Sequence, residues 1–237
     1  MAEPLVLLPG MMCDARLFAP QLAAFSRHLA MTVAPITGGD RIEEIASGLL
    51  DVLPRRFALA GVSMGGIVAM ELLRRAPARI TRLALMDTNA LAETPQSAAD
   101  YEPLIIKLRA GRIEEAVNAV IRADVLAPGP GRLRVQAQVT EMARAIGAEA
   151  IIRQARALQR RRDYQGDLRR CKCPALVLCG AHDRLTPLKR HELMAGLIPD
   201  ARLRVIEAAG HLPVLEAPDA VNVELAAWLQ FPTPADG

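Results

Sequence analysis

The sequence predicts an α/β fold in which a mostly parallel sheet of about six strands carries helices on both faces. Three observations lead to this prediction. The chain has 237 residues and is 51% hydrophobic, which suffices for one large domain with a buried core. Short apolar runs bounded by Gly, Pro or Asp alternate with amphipathic segments of helical period. One long block between two of these runs has helical patterns alone, which indicates a helical insertion.

Six apolar runs have the composition of strands that are buried on both faces of a parallel sheet. They are Leu5–Leu8, Met31–Ala34, Phe57–Ala60, Leu83–Met86, Leu176–Leu178 and Leu203–Ile206. Four amphipathic segments between and after them are predicted helices: Arg41–Leu53, Ile67–Arg75, Leu188–Leu197 and Ala220–Leu229. Because strand and helix alternate, we expect crossover helices that join parallel strands.

The alternation is interrupted once, between residues 91 and 170. Four helical segments are expected there: Tyr101–Ala110, Arg112–Ala123, Arg132–Ile146 and Glu149–Arg162. We therefore divide the chain into a core of residues 1–90 and 171–237 and a helical insertion of residues 91–170. The insertion leaves from the carboxyl end of a strand, the edge at which open α/β sheets bind ligands, so we expect it to form a lid. A subdomain with only a packing role is the alternative.

Composition narrows the classes of function. The net charge of +3 gives no argument for nucleic-acid binding. No apolar run reaches about 18 residues, so no membrane span is expected. The first residues lack the pattern of a signal peptide, and these observations favour a cytoplasmic protein. The four cysteines are not spaced like a zinc site or a disulfide framework, and neither a metal nor a cofactor is expected.

The segment 57–67 carries the pattern with the strongest functional implication. Gly61-Val62-Ser63-Met64-Gly65 lies between a predicted strand and a predicted helix, which is the context of a nucleophile elbow. In so sharp a turn, side chains two positions before and after the serine would collide, which explains both glycines. A phosphate-binding loop would need a following lysine, and a dinucleotide motif would need glycine at position 63. The pattern therefore predicts Ser63 as a nucleophile.

A serine nucleophile needs a base, and the chain has four histidines. His211 follows the last strand, at the edge where Ser63 is expected. His28 and His191 lie in helical segments and are expected to be solvated. His182 directly precedes a candidate acid and cannot easily point the same way as that acid. We therefore predict His211 as the base.

Two aspartates follow predicted strands at the same edge. Asp183 comes after Leu176–Leu178 and gives the order Ser63, Asp183, His211, which is the order that accompanies a nucleophile elbow. Asp87 comes after Leu83–Met86 and is the second candidate for the orienting acid. A helix cap or loop anchor is the alternative role for Asp87.

An oxyanion hole must stabilise the charge that develops on the substrate carbonyl oxygen, and losing one donor can cost about 100- to 1,000-fold in turnover. One donor is expected to be the backbone N–H of Met64, directly after the nucleophile. The other is expected from the loop after the first strand, where Gly10 allows a close backbone approach and Met11 N–H follows.

These residues, in this order, resemble the α/β-hydrolase fold family, and the similarity extends over nearly the whole chain. Segments 173–187 and 210–218 resemble the family's acid-bearing and histidine-bearing segments. Within the family the chain is most similar to small, helix-lidded carboxylesterases, which include pimeloyl-carrier-protein methyl ester esterases and 3-oxoadipate enol-lactonases. The resemblance implies hydrolysis of an ester-like bond by a Ser-His-Asp triad.

Two features depart from that family pattern. Many relatives have His-Gly after the first strand, where this chain has Pro9-Gly10, which changes one wall of the expected pocket. The two antiparallel strands that open the full family sheet have no counterpart before Leu5. About six parallel strands are therefore expected in place of eight.

Three functions remain open. The first is hydrolysis of a small-molecule carboxylic ester or lactone through an acyl-enzyme. The second is hydrolysis of a carbon–carbon bond in a diketone-type ring-cleavage product, and the third is ligand binding without catalysis. Serine at position 63 argues against haloalkane dehalogenation, in which the related nucleophile is an aspartate. No nucleic-acid or membrane partner is expected, and the sequence does not predict an oligomeric state.

The insertion carries the basic excess, with 14 basic and 9 acidic residues from Asp100 to Arg170. Arg153 and Arg156 belong to a group of arginines near its end, and with Met12 they are our candidate substrate-binding residues. They could attract an anionic substrate or an acidic carrier protein. A solvated helix face is the alternative.

Overall fold

A six-stranded sheet forms the centre of the molecule, and all of its recorded strand pairings are parallel. The computed structural model describes residues 3–231 and 233. The strands are β1 (Leu5–Leu8), β2 (Met31–Val33), β3 (Phe57–Val62), β4 (Ile80–Met86), β5 (Ala175–Gly180) and β6 (Ala201–Ile206), in the spatial order β2-β1-β3-β4-β5-β6. The predicted α/β class and number of strands are confirmed.

The described residues also form α-helices and short 3-10 helices. The α-helices are α1 (Ala19–Phe25), α2 (Ile42–Val52), α3 (Met64–Arg75), α4 (Pro95–Ala99), α5 (Glu102–Arg109), α6 (Ile113–Val120), α7 (Arg132–Ile146), α8 (Ala148–Gln159), α9 (Gln165–Arg169), α10 (Leu188–Leu197), α11 (Pro213–Glu216) and α12 (Pro218–Leu229). The 3-10 helices are Ala15–Phe18, Pro77–Arg79 and Ala123–Val125. Among the described residues, no helix combines the length and apolar character needed to cross a bilayer.

The outer strands differ from the prediction that all six are buried on both faces. The described side chains of β1, β3 and β5 are buried throughout. In β6, by contrast, exposed residues such as Arg202 and Arg204 alternate with partly buried ones. This edge strand has one face against the core and one face in water, so its side chains alternate in polarity.

The alternating side chains of the strands enter two separate cores. Leu5 and Leu7 of β1 face a core that includes Trp228 of α12 and the helices of the insertion. Val6 and Leu8 face the opposite core, which includes α2, α3 and α10. Successive residues of a strand point to opposite faces, so each buried strand stabilises both layers of helices.

The sheet changes direction beside β1. From β1 the chain passes to β2 on one side, and it then crosses back to β3 on the other side. Leu8 of β1 is paired with Gly61 of β3, so the loops that follow these two strands leave the sheet side by side. Such a switch point is where open α/β sheets bind ligands.

Between β4 and β5 the described chain forms helices α4 to α9 and no strand. Within this block α5 packs against α6 and α8, and α7 packs against α6 and α8. Its buried side chains, including Leu104, Val117 and Ile151, join the core that also contains Leu5 and Leu7. The block is therefore packed directly against the rest of the molecule.

The turn between β3 and α3 brings three backbone segments unusually close together. A Cβ added at Gly65 would lie 2.1 Å from the carbonyl oxygen of Leu8, and one added at Gly61 would lie 2.4 Å from the carbonyl oxygen of Gly65. Both distances are far below van der Waals contact, so any side chain at either position requires the backbone to move. Both glycines are therefore explained by space.

We expect Gly65→Ala to lower the free energy of unfolding by at least about 1–3 kcal/mol, because it overpacks backbone against backbone. The matched control is Gly48→Ala, since Gly48 lies in α2 with no atom within 4 Å of an added Cβ. That variant should be as stable as wild type or more stable by about 0.5–1 kcal/mol. Urea unfolding of both variants tests this, and equal stabilities would contradict the packing argument.

Candidate active site

Ser63 occupies a backbone conformation that non-glycine residues rarely adopt, with φ 53° and ψ −118°. Met86 at the end of β4 and Thr88 hold it in this conformation. Its N–H donates to the carbonyl oxygen of Met86 at 2.9 Å, and its own carbonyl oxygen accepts the hydroxyl of Thr88 at 2.7 Å. A strained residue persists only when its surroundings fix it, and it is a typical feature of an active site.

Three side chains that are distant in sequence meet above the carboxyl edge of the sheet. His211 Nε2 lies 3.0 Å from Ser63 Oγ, and His211 Nδ1 lies 2.9 Å from Asp183 Oδ2. Both His211 and Asp183 are buried, whereas Ser63 is partly accessible. The hydroxyl, the imidazole and the carboxylate are therefore linked by two consecutive hydrogen bonds, which form a hydrogen-bonded chain.

The loop after β5 satisfies the Asp183 carboxylate fully. Its Oδ1 accepts the N–H groups of Leu185 at 2.8 Å and Thr186 at 3.0 Å, and its Oδ2 accepts the Thr186 hydroxyl at 2.5 Å as well as His211. Burial raises the pKa of Asp183, but His211 and the Thr186 hydrogen bonds outweigh this and hold the pKa well below its usual value. Asp183 is therefore ionised beside His211.

A second carboxylate organises the loop that carries His211. Glu216 Oε2 accepts the N–H of Gly210 at 3.0 Å and that of Ala127 at 2.6 Å, and its Oε1 accepts the N–H of Leu212 at 2.8 Å. Glu216 thus binds the residues on both sides of His211 and one residue of the insertion. The N–H of His211 itself donates to the carbonyl oxygen of Val125 at 2.8 Å.

The two predicted oxyanion donors lie on neighbouring turns. Met64 begins α3, and Met11 lies in the turn after β1, directly beside it at the switch point. In the part of the chain that the structure describes, neither N–H has a hydrogen-bond acceptor. The adjacent N–H of Met12 donates instead to the buried Oε1 of Gln154 at 3.1 Å, which ties this turn to α8.

Asp87 lies close to Asp183, but it is Asp183 that makes the hydrogen bond to the imidazole. The oxygens of both carboxyls and a nitrogen of His211 lie within 4.8 Å of one another. Asp87 is fully buried with φ 44°, and its Oδ1 accepts the N–H of Gly180 at 2.9 Å. Its Oδ2 has no partner among the described residues. Burial, followed by the nearby charge of Asp183, raises the pKa of Asp87 well above its usual value and favours the neutral acid.

The prediction that His191 is solvated is wrong. Its side chain is fully buried, and its Nε2 accepts the backbone N–H of Thr88 at 3.1 Å. Burial lowers the pKa of His191 to about 4, so the ring is neutral at neutral pH. Helix α10 turns this one polar residue toward the sheet, where it stabilises the segment that holds Ser63. The structure brings His28 and His182 to exposed positions.

Among residues 3–231 and 233, two groups of side chains offer donor atoms of the kind that metals bind, and both include Asp87. In the group with Asp183 and His211, both ring nitrogens of the histidine are already engaged, so a bound ion would break the hydrogen-bonded chain. The other group contains Cys179 and His191. Burial raises the pKa of the Cys179 thiol.

A cavity of about 180 Å³ adjoins Ser63 and His211, between the strand-end loops and the insertion. Its apolar wall consists of Met11, Met64, Ile67, Val120, Leu158 and Leu185. Its polar wall consists of Thr88, Asn89, Glu93, Tyr101, Arg161 and Thr186. It is smaller than the roughly 300–1,000 Å³ that is typical of pockets for drug-sized ligands, which indicates a small ligand.

The three candidate substrate-binding residues do not line this cavity. The Met12 side chain is fully buried in the core. Arg153 is exposed and donates to the carbonyl oxygen of Thr37, and Arg156 forms an ion pair with Glu102. Helix α8 directs its apolar residues inward, so these arginines point away from Ser63.

Sequence reasoning did not find the residues that support Ser63, Asp183 and His211. Gln154 holds Met12, a partner 142 residues away in sequence. Thr186 and Glu216 bind partners three to six residues away, but polar residues are common in such loops and their types do not indicate these hydrogen bonds. Arg161 was one of several neighbouring arginines, and nothing in the spacing distinguishes it as the one that lines the cavity.

Comparison with known proteins adds a second line of observation. Residues 50–218, which include Ser63, Asp183 and His211, match a family model described as the alpha/beta hydrolase fold. The pimeloyl-[acyl-carrier protein] methyl ester esterase of Aromatoleum aromaticum is 32% identical over 199 residues, which cover 78% of this chain and 80% of the relative.

Two solved structures are similar over nearly their whole length. A thermophilic esterase from Thermogutta terrifontis superposes with a TM-score of 0.86 at 26% identity, covering 96% of this chain and 89% of that one. An enol-lactonase from Burkholderia xenovorans superposes with a TM-score of 0.84 at 26% identity, covering 96% and 91%.

We expect Asp87→Asn to gain stability relative to wild type as the pH rises from about 4 to 8. The pKa of Asp87 is higher in the folded protein than in the unfolded chain. Its contribution to the free energy of unfolding is therefore complete below the unfolded-state pKa and is lost as the pH rises toward the folded-state pKa. The amide has no such dependence, so the difference should grow by up to about 1.4 kcal/mol for each pH unit. Urea unfolding at several pH values measures it, with the exposed Asp51→Asn as control. A difference that does not change with pH would show that Asp87 is ionised in the folded protein.

We expect Glu216→Gln to lower kcat by at least about tenfold with little change in KM, because Glu216 holds the His211 loop but does not line the cavity. The amide group of the variant would turn its own N–H groups toward at least one of the three backbone N–H donors, and that hydrogen bond would be lost. Each hydrogen bond to a charged group is worth about 1.5–3 kcal/mol. Steady-state hydrolysis of a p-nitrophenyl ester measures the effect. Glu207→Gln changes an exposed residue of the same segment and should retain wild-type kcat. Equal kcat values for the two variants would contradict the role of Glu216.

Proposed function

Because the chain belongs to the alpha/beta hydrolase fold family, as its motifs predicted, we propose that it hydrolyses the carboxylic ester or lactone bond of a small molecule. The observation that carries the proposal is the hydrogen-bonded chain of Ser63, His211 and Asp183 at the wall of a cavity. His211 Nε2 lies 3.0 Å from Ser63 Oγ, which is within reach for the base to remove the proton of the nucleophile.

In the first step His211 Nε2 takes the proton of the Ser63 hydroxyl as Oγ forms a bond to the substrate carbonyl carbon. The imidazole becomes positively charged, and the ionised Asp183 stabilises that charge through Nδ1–H. The protonated imidazole then gives its proton to the leaving oxygen when the ester bond breaks. An alcohol departs, or the ring opens if the substrate is a lactone, and the acyl group remains on Ser63.

The negative charge on the substrate carbonyl oxygen needs hydrogen-bond donors that are already in position. We assign this role to the backbone N–H groups of Met11 and Met64. Both lie beside Ser63, and neither is occupied by an acceptor within the described chain. Gln154 supports this assignment because it fixes the neighbouring N–H of Met12 and so holds the turn in place.

In the second step a water molecule replaces the alcohol. His211 removes a proton from the water as its oxygen attacks the acyl carbon, and the same proton returns to Ser63 Oγ as the acyl-enzyme bond breaks. The products are a carboxylic acid and the free enzyme.

The insertion, residues 91–170, supplies the proposed lid. Glu93, Tyr101, Val120, Leu158 and Arg161 of this block form one side of the cavity, opposite the strand-end loops. A cover of this kind excludes bulk water and strengthens every electrostatic interaction inside. The cavity volume of about 180 Å³ favours a substrate with a short acyl group.

A substrate on an acidic carrier protein is the second possibility, since one relative is named for an acyl-carrier substrate. The basic excess of the insertion favours it. Much of that positive charge is paired within the chain, however, as in Arg156 with Glu102 and Arg160 with Asp40. We therefore favour a free small ester.

The two remaining alternatives predict different outcomes with the same reagents. A hydrolase of carbon–carbon bonds would turn over a diketone faster than any ester in a substrate panel. A binding protein without catalysis would turn over neither and would not react with a fluorophosphonate.

We expect Ser63→Ala to lower kcat/KM for p-nitrophenyl acetate by at least about 10,000-fold and to abolish labelling by a fluorophosphonate, because the nucleophile is removed. Ser26→Ala changes an exposed serine and is the matched control, with turnover and labelling as in wild type. Retention of wild-type turnover in Ser63→Ala would overturn the proposed mechanism.

A further inference from the structure

An ion pair forms part of the wall of the same cavity. Arg161 Nη1 lies 2.9 Å from Glu93 Oε1, and each side chain is only 9% exposed. Both residues line the cavity that adjoins Ser63 and His211. Buried charges are costly unless they are paired, so the pair is a specific feature of this wall and not an incidental surface contact.

The two side chains are held by the segments around them. Arg161 Nε donates to the carbonyl oxygen of Leu91 at 3.0 Å. Glu93 Oε1 accepts the hydroxyl of Tyr101 at 3.3 Å, and Glu93 Oε2 accepts the hydroxyl of Ser97. These contacts fix the pair in one geometry and use acceptor capacity of both carboxylate oxygens.

Donor groups remain on this wall. Among the described residues, Arg161 Nη2 has no acceptor. Asn89 also lines the cavity, and its Oδ1 accepts the N–H of Leu91 at 3.1 Å, which leaves its amide N–H groups as the free end. The wall is therefore rich in hydrogen-bond donors while the charges of Arg161 and Glu93 cancel.

We propose that Arg161, Glu93 and Asn89 form a subsite for an uncharged hydrogen-bond acceptor on the substrate, such as the oxygen of a carboxamide or ketone. The inference rests on the proposed ester hydrolysis and specifies its substrate class. Arg161 and Asn89 donate to this oxygen. Glu93 determines the charge that the subsite accepts, because it neutralises the one arginine of the cavity lining.

A carboxylate fits the same donors but not the same charge. Its negative charge would approach Glu93 in a site with little water, and no second cation lines the described cavity to offset it. An alkyl group would cover these donors without offering them an acceptor, and donors left unpaired in this way disfavour a ligand strongly. The subsite thus selects by both hydrogen bonding and charge.

The test compares three methyl esters of equal size: monomethyl glutarate, its terminal carboxamide, and the ester in which an isopropyl group replaces the carboxylate. The succinate series, one methylene shorter, is measured in parallel. We expect wild type to hydrolyse the carboxamide with a kcat/KM at least about tenfold above both others in one of the two series. Equal or reversed preference, or no turnover of any member, overturns the proposal.

Glu93→Gln provides the sharper measurement, because the amide keeps the shape of the side chain but leaves the charge of Arg161 uncompensated. We expect the ratio of kcat/KM for the carboxylate ester to that for the carboxamide to rise at least about tenfold. The matched control is Glu102→Gln, which breaks the ion pair of Arg156 outside the cavity and should leave the ratio unchanged. An unchanged ratio in Glu93→Gln overturns the proposal.

The double variant Arg161→Met/Glu93→Gln covers the case in which a single change unfolds the protein, since it removes both charges. It should lose the preference for the carboxamide over the isopropyl ester, and retention of that preference overturns the proposal. Fluorophosphonate labelling separates this failure from failure of the proposed function. Labelled enzyme with the wrong ester preference refutes the subsite alone, whereas absence of both labelling and ester turnover refutes the hydrolase mechanism.

Discussion

The close approach of β1, β3 and the start of α3 is the constraint on which the site depends. The backbones of these segments nearly touch, so no side chain fits at Gly61 or Gly65. Ser63 lies between the two glycines in a strained conformation. The same closeness puts the turn after β1 beside the start of α3, where Met11 and Met64 lie. Hydrogen bonds from Ser63 to Met86 and from Thr88 to Ser63 then hold the strain in place. One local packing arrangement thereby fixes the proposed nucleophile and the proposed oxyanion donors together.

Two carboxyl groups below the imidazole have opposite environments. Asp183 is surrounded by donors from Leu185, Thr186 and His211, and these lower its pKa although it is buried. Asp87 has one donor, from Gly180, and its pKa is raised. Like charges so close together cannot both be stable in a buried site, so the loop after β5 determines which carboxyl is ionised. Both aspartates follow parallel strands, and the difference between them comes from the loops rather than from the sheet.

The fold was predictable because its information is local. Apolar runs and glycine spacing identify the strands and the turn at Ser63, and the rule that parallel strands present their carboxyl ends at one edge predicts that Ser63 and His211 lie on the same side of the sheet. The support of the site was not predictable, because Gln154 and His191 act through partners more than 100 residues away in sequence, and Glu216 joins its own loop to Ala127, which is 89 residues away. His191 was assigned to solvent because its sequence neighbours are charged, whereas helix α10 turns it inward. Arg161 differs from nearby arginines only in where the insertion directs it.

The insertion is bonded directly to the loop that carries the imidazole. Val125 accepts the N–H of His211, and Ala127 donates to Glu216, which in turn holds Gly210 and Leu212. Segment 123–127 of the proposed lid is hydrogen-bonded to the His211 loop, so this segment cannot move outward without displacing His211 from Ser63. Leu185 also lines the cavity, is 36% exposed and lies outside this attachment. These hydrogen bonds couple the position of the proposed lid to that of the proposed base.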